Sequence, residues 1–322
     1  LSDKAILNWK DFNVAPGYAV NFDQPGTGSA TLNRIWSADP SVIAGKLDAK
    51  GQVYLVNQNG IVFDRGAQVN TGGLTASTLN VSDAKFLDGI LAANAGATGG
   101  TLPAAFQADG TAGDVTVKAG ASIATSDGGR VLLLGSRVTN EGSISTPDGQ
   151  AILAAGHTVY VAASTNPALR GLLIQVDGSA VPAESTVVNS GEITAERGNI
   201  SLAGLVVRQD GKLRATTSVS ANGSIYLVAG DASRRDDTGQ GPAQFVNSAA
   251  PGFGQLLPNQ GGSLVQLNGA WGSTIAGYTY NTPDANGCKR CHKVTGRFAP
   301  IGLSPRQLNR AAPASLAGVK SK

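Results

Sequence analysis

Methionine is absent from all 322 residues, cysteine and histidine occur twice each, and only 15% of the chain is charged. Aromatic residues contribute a further 5%. There is no apolar run of about 18 residues, so no segment reads as a membrane-spanning helix. The nucleotide-binding G-x-x-x-x-G-K-[ST], the hydrolase elbow G-x-S-x-G, the zinc-protease H-E-x-x-H and the EF-hand loop are all missing. With two histidines and no carboxylates paired at a shared spacing, general acid–base catalysis has few candidates. Enzyme activity is not expected.

Glycine, at 43 residues, is abundant instead. Glycine-rich, charge-poor sequences suit many short strands joined by tight turns and do not suit a helical bundle. The net charge of +3 hides a split: eight Lys/Arg and no Asp or Glu follow Gly287, leaving 17 basic against 22 acidic residues before it. The basic tail is read as a solvated segment, or as one that docks on the acidic body of the same chain or of a neighbouring copy. Nucleic acid is not the expected partner.

The most informative stretch is residues 47–78. Val53-Tyr-Leu-Val56 and Ile61-Val-Phe63 are β-branched or aromatic runs too short for helices, so they read as strands. Asn57-Gln-Asn-Gly60 between them is a turn of residues that tolerate left-handed backbone and bond their own main chain. Further on, Asn140-Glu-Gly-Ser-Ile144 is echoed by Asn189-Ser-Gly-Glu-Ile193, and turn glycines recur near every 20 residues. That period, with about three short strands per repeat, predicts a parallel β-helix whose coils stack to share a core. No L-x-x-L-x-L ladder supports the competing leucine-rich repeat. Ser82–Ala95, with Phe86, Leu87, Ile90 and Leu91, is spaced like one or two turns of amphipathic helix, and 100–113 reads as loop.

The motif Leu32-Asn33-Arg34, then Gly45-Lys-Leu47-Asp-Ala49, then Asn57-Gln58-Asn59-Gly60-Ile61-Val62-Phe63 resembles the N-terminal secretion domain of filamentous-haemagglutinin-like exoproteins of two-partner secretion. Gln58 stands where that family has proline, and Ile6–Val14 matches an earlier segment of its pattern. The resemblance implies an all-β, right-handed parallel β-helix (solenoid), with a cap and first coils over 1–110. Repeats would follow over 111–280, with a loop excursion at 231–262, and an irregular basic tail over 281–322. It implies a secreted adhesin or filament subunit, at the cell surface or outside a Gram-negative-type bacterium; the open coil ends and the charge split point to self-association. Export would run through an outer-membrane transporter whose POTRA domains bind the N-terminal region by strand addition. Asn33, Arg34, Asn57, Asn59, Gly60 and Ile61 would be the secretion motif, or simply cap and turn the helix. The start at Leu1, without the stretch that usually precedes this pattern, suggests a processed or trimmed end.

Both cysteines fall in Cys288-Lys-Arg-Cys291-His292. C-x-x-C-H is the attachment signature of c-type haem: two thiols add to the vinyl groups and the adjacent imidazole becomes the proximal ligand. Haem c is therefore one expectation, and an extracellular β-helical cytochrome the alternative function. Met is absent, so His157 is the remaining candidate histidine for a distal ligand, against a solvated corner histidine. A disulfide between the cysteines, or zinc on Cys288, Cys291, His292 and His157, stay open as alternatives. Proteins of the resembling family cross the outer membrane unfolded, and a covalent haem would have to thread the same pore.

Overall fold

The computed structural model describes residues 3–90, 104–163, 171–177, 185–217 and 224–229, with strand segments between 246 and 298. The chain winds coil upon coil. It begins with β1 (Lys4–Trp9) and β2 (Ala19–Phe22), then β3 (Ala30–Ile35), β4 (Ser41–Ile43) and β5 (Lys46–Ala49), then β6 (Gln52–Asn57), β7 (Ile61–Phe63) and β8 (Gln68–Thr71). After β9 (Gly73–Ser77) a first insertion holds helix α1 (Asp83–Asp88) and β10 (Phe106–Gln107). The coil resumes with β11 (Asp114–Val117) and β12 (Ser122–Thr125), then β13 (Arg130–Gly135), β14 (Arg137–Asn140), β15 (Ser143–Ser145) and β16 (Gln150–Ala155). A second insertion, β17 (Thr158–Ala163) and β18 (Leu172–Asp177), leads to β19 (Thr186–Asn189) and β20 (Glu192–Ala195). Then come β21 (Asn199–Gly204), β22 (Val206–Gln209), β23 (Lys212–Thr217) and β24 (Ser224–Ala229).

Apart from β10, β17 and β18 of the insertions, which pair antiparallel with one another, each of these strands pairs in parallel with its counterpart one coil away, which makes three sheets along the rod. The register is continuous: Gln52 pairs with Gly73, Arg130 with Gln150, and Glu192 with Lys212. This is the parallel β-helix expected from the sequence. The sheets run without a break past residue 110, because β7 pairs with β11 and β8 with β12. Near the far end Leu264–Leu267 continues one sheet beside β22, and Trp271–Ile275 continues another beside β23 before Tyr278–Thr282 folds back on it antiparallel. The proposed excursion at 231–262 and the tail's C-x-x-C-H lie outside the described residues, apart from the two-residue strand Val246–Asn247.

Inward-facing residues stacked in register from coil to coil build the interior. Leu55, Ala76, Leu133, Leu153, Leu202 and Leu227 form one register column, and Ile61, Val115, Val138, Val187 and Val207 a second. Leu47, Val69, Ile123, Ile144, Ile193 and Leu213 form the third. All are buried in one cluster, each contributing about 1.5–3 kcal/mol for the larger side chains. At the N-terminal end the column is closed by Trp9 against Phe12, centroids 5.4 Å apart, and by Phe12 stacked on Phe22 at 6.4 Å.

The 49-residue offset between the Asn140 and Asn189 motifs is thus one coil plus the second insertion, since Asn140 and Asn189 are register partners. Their side chains form a ladder inside the coil: Asn140 Nδ2 donates to Asn189 Oδ1 at 2.7 Å, and Asn189 Nδ2 to Gln209 Oε1 at 2.9 Å. α1 confirms the helical spacing near Phe86, with Ser82 accepting from the Lys85 amide as N-cap. Leu87 of that segment is 48% exposed rather than packed. Residues 106–107, read as loop, form β10 because the second insertion supplies a strand partner, Val159 opposite Phe106.

Glycines mark the corners where successive chains touch. A Cβ on Gly149 would overlap the Gly129 carbonyl oxygen, and one on Gly198 would overlap that of Gly149. Asp148 and Arg197, just before these two glycines, hold φ of 52° and 55°, in the left-handed region. Replacing Gly149 with Ala is expected to cost about 3 kcal/mol or more, because backbone rather than a flexible side chain must yield. Gly26→Ala, with nothing within 4 Å of the added carbon, should stay within about 0.5 kcal/mol. Urea denaturation of the two variants checks the contrast.

Candidate functional site: a buried turn in the first coils

β6 ends on Asn57, a fully buried polar residue whose amide must find partners inside the rod. Its Nδ2 donates to Ser41 Oγ at 3.0 Å and to the Asp39 carbonyl at 3.1 Å, both one coil earlier. Its Oδ1 accepts from the Asn59 amide at 2.9 Å, and its carbonyl from Gly60 N at 3.2 Å. Asn59 Nδ2 donates to the Ser37 carbonyl at 2.8 Å, while Ser41 N donates to the Gly60 carbonyl at 3.0 Å. The turn is therefore bolted to the coil below at four points. The following coil closes from above: Gly113 N donates to the Gln58 carbonyl at 2.7 Å. A Cβ on Gly113 would sit 2.6 Å from the Asn59 carbonyl carbon.

Gly60 alone in this turn takes a positive φ, 130°. The two asparagines do not use left-handed backbone; Asn57 bonds the main chain of its own turn, as read from sequence, and both bond the coil below through their side chains. Gln58 uses its freedom differently from a proline, since Nε2 reaches Asp109 Oδ2 at 3.3 Å. Ile61 then enters the interior column, fully buried.

Asn33 and Arg34, adjacent on β3, face opposite ways. Asn33 is buried in the coil, accepting from Trp9 Nε1 at 2.9 Å and donating to the Tyr54 carbonyl at 3.1 Å. Arg34 lies on the outer face, where Nη2 donates to the Val81 carbonyl at 2.8 Å and Nη1 meets Asp83 at 2.7 Å. Arg34 and Asn59 come together at a small pocket of about 70 Å³ that Trp36, Val56 and Asn80 also line. Trp36 is 66% exposed, although its ring N–H is held by Asn8 Oδ1 at 3.2 Å. Ser37, Ser41, Trp36, Asn80 and Asp109 were not singled out from sequence. They join the site across separations that leave no local pattern.

His157 is half-buried at the base of the second insertion, its amide donating to the Asp177 carbonyl at 2.8 Å. Gly156 does mark a corner, but Val159 and Val161 beyond it face an outer core rather than the coil interior. Cys288, Cys291 and His292 lie outside the described residues, so the structure does not relate them to His157. Among the described residues no three His, Cys, Asp or Glu side chains gather as a metal group. No helix among them is long and apolar enough to cross a membrane.

A stacked coil with a buried, hydrogen-bonded turn in its third coil and insertions on one face defines a capped parallel β-helix. The chain belongs to the TPS secretion domain family, whose pattern matches residues 2–240, and it is accordingly the secretion domain of a two-partner secretion exoprotein. The crystal structure of the HMW1 secretion domain from Haemophilus influenzae is similar, with 32% identity and a TM-score of 0.57, covering 70% of this chain and 57% of that one. Two curated heme/hemopexin-binding proteins of Haemophilus influenzae are also similar. One is 28% identical over 290 residues, 85% of this chain and 31% of that protein; the other is 43% identical over 77 residues, 24% of this chain and 8% of that protein. The chain thus spans under a third of the length of either.

Asn57→Ala should destabilise by about 2–3 kcal/mol, since it strands Ser41 Oγ, the Asp39 carbonyl and the Asn59 amide in the interior. Asn59→Ala, nearer the surface, should cost about 1 kcal/mol. Equal costs in chemical denaturation would show that the buried amide is not the anchor.

Proposed function

We propose that this chain carries an exoprotein through the outer membrane by way of a dedicated transporter, and that the protein is released or displayed outside a Gram-negative cell. The observation that supports this most directly is the secretion-domain match over residues 2–240. Its first coils hold the Asn57–Ile61 turn in a fixed frame. The transporter's periplasmic POTRA domains are the partner, engaging the N-terminal region by strand addition. Asn33, Arg34, Asn57, Asn59, Gly60 and Ile61 serve export through the fold of that region. The role of the whole protein is structural, as an adhesin or filament subunit, and not catalytic. Self-association is supported by the charge split between the acidic body and the basic tail after Gly287, weak contacts individually and screened by salt.

Joint replacement of Asn57, Asn59 and Gly60 by Ala, Ala and Val should reduce export at least tenfold, read by immunoblot of culture medium against cell-retained protein. Gly60→Val should be the most damaging single change, because a β-branched residue is strained at that φ. Normal export of the triple variant would overturn the role given to the turn.

A second reading is favoured by two observations: the Cys288-Lys-Arg-Cys291-His292 pentapeptide and the similarity to the two heme/hemopexin-binding proteins. Under it the tail carries one haem c, with thioethers from Cys288 and Cys291, proximal ligation by His292 and distal ligation by His157. Purified protein should then show a Soret band that survives acid–acetone extraction and is lost when Cys288 and Cys291 are replaced. A protein without that band would end the haem reading, and a mass two hydrogens below the reduced chain would make the pair a disulfide.

A further inference from the structure

The two insertions leave the coil at different heights, yet they meet. The first departs after β9 and the second after β16, and β10 pairs antiparallel with β17, Phe106 opposite Val159 and Gln107 opposite Thr158. Two further backbone bonds join them: Ala105 N to the Val159 carbonyl and Ala108 N to the His157 carbonyl, both 2.8 Å. Together they cover the outer face of the sheet that contains β3, β6, β13 and β16. Leu32, Val56, Leu132, Leu134 and Ile152 of that face share a second buried cluster with Phe86, Phe106, Val159, Val161 and Ile174 of the insertions.

Both ends of this cover are pinned to the rod. At the early end Arg34 of β3 bonds the Val81 carbonyl and Asp83, and Tyr54 of β6 meets Phe86 edge-on at 5.2 Å. At the late end the Gln150 amide grips the backbone of Leu172, accepting from its N–H at 2.7 Å and donating to its carbonyl at 3.0 Å. The same Nε2 donates to Ser201 Oγ on β21 at 3.1 Å.

In a simple solenoid each coil touches only its neighbours, so the rod can open from one end and stability sums over adjacent pairs. Here a continuous path runs from β3 through the first insertion, across the β10–β17 pair, to β16 and β21. We propose that the paired insertions form a clasp that couples opening of the first coils to opening of the sixth and seventh, so that the described rod unfolds as one unit. On the export reading above, on which this consequence rests, the cover over the outer apolar face is complete only once residues through Asp177 have crossed. The locked rod then forms on one side of the membrane only.

The test is hydrogen exchange of the purified full chain, read by mass spectrometry. Phe106→Ala removes the largest side chain of the β10–β17 junction. It is expected to raise exchange about 100-fold in both β3 and β21, two strands that do not adjoin residue 106 in sequence. Phe106→Leu, which keeps most of the buried volume, should move the same two strands together by a smaller factor, so a poorly folding Ala variant does not leave the question open. Faster exchange confined to the insertions and to β9, β11 and β13 would overturn the clasp and leave a nearest-neighbour solenoid. Export supplies a separate arm. If wild-type chain is not exported by its transporter, the export reading fails while the exchange result stands. If Phe106→Ala chain is exported and its first coils resist protease as well as wild type, the clasp has no part in locking the rod.

Discussion

Parallel stacking in register is the constraint on which everything else in this molecule depends. Successive coils lie one strand spacing apart, about 4.8 Å, along all three sheets, so every corner must repeat the corner beneath it. Where two chains cross at that spacing a β-carbon has no room. Gly129, Gly149 and Gly198 follow one another at one such corner, and Gly142, Gly191 and Gly211 at another. At these corners glycine is a demand of the stack.

The same register decides how polar groups survive inside. An amide placed once per coil finds the amide of the next coil, as Asn140, Asn189 and Gln209 do. Asn57 sits where no such ladder exists, and it binds Ser41 and the Asp39 carbonyl instead. That difference sets this turn apart from the repeating ladder of the later coils. A residue buried with four partners specifies one arrangement, because any slip leaves several groups unsatisfied. The turn lies in the third coil of the secretion domain that spans residues 2–240.

One face of the rod departs from solenoid logic. Strands β13, β16 and β21 are buried on both sides, unlike β14 or β20, whose residues alternate between buried and half-buried. Sheet faces covered on both sides read as continuous apolar runs, and Val131-Leu-Leu-Leu134 and Ala151-Ile-Leu-Ala-Ala155 are such runs. The covering layer comes from the insertions. Arg34, read as part of a secretion motif, turns out to hold that layer to β3.

The amino-acid sequence by itself determined the class of fold, because a period near 20 with about three short strands per repeat admits few architectures. It also located the Asn57–Gly60 turn and the helix at Phe86, since turn and capping chemistry act within four residues. The meaning of the 49-residue offset, the strand at Phe106 and the exposure of Leu87 were decided by tertiary structure. So were the partners of Asn57 and Arg34, which lie 16 to 49 residues away. Periodicity reports what each residue does within its own coil. What lies across a coil, or on top of a sheet, depends on where an insertion returns, and no local pattern encodes that return.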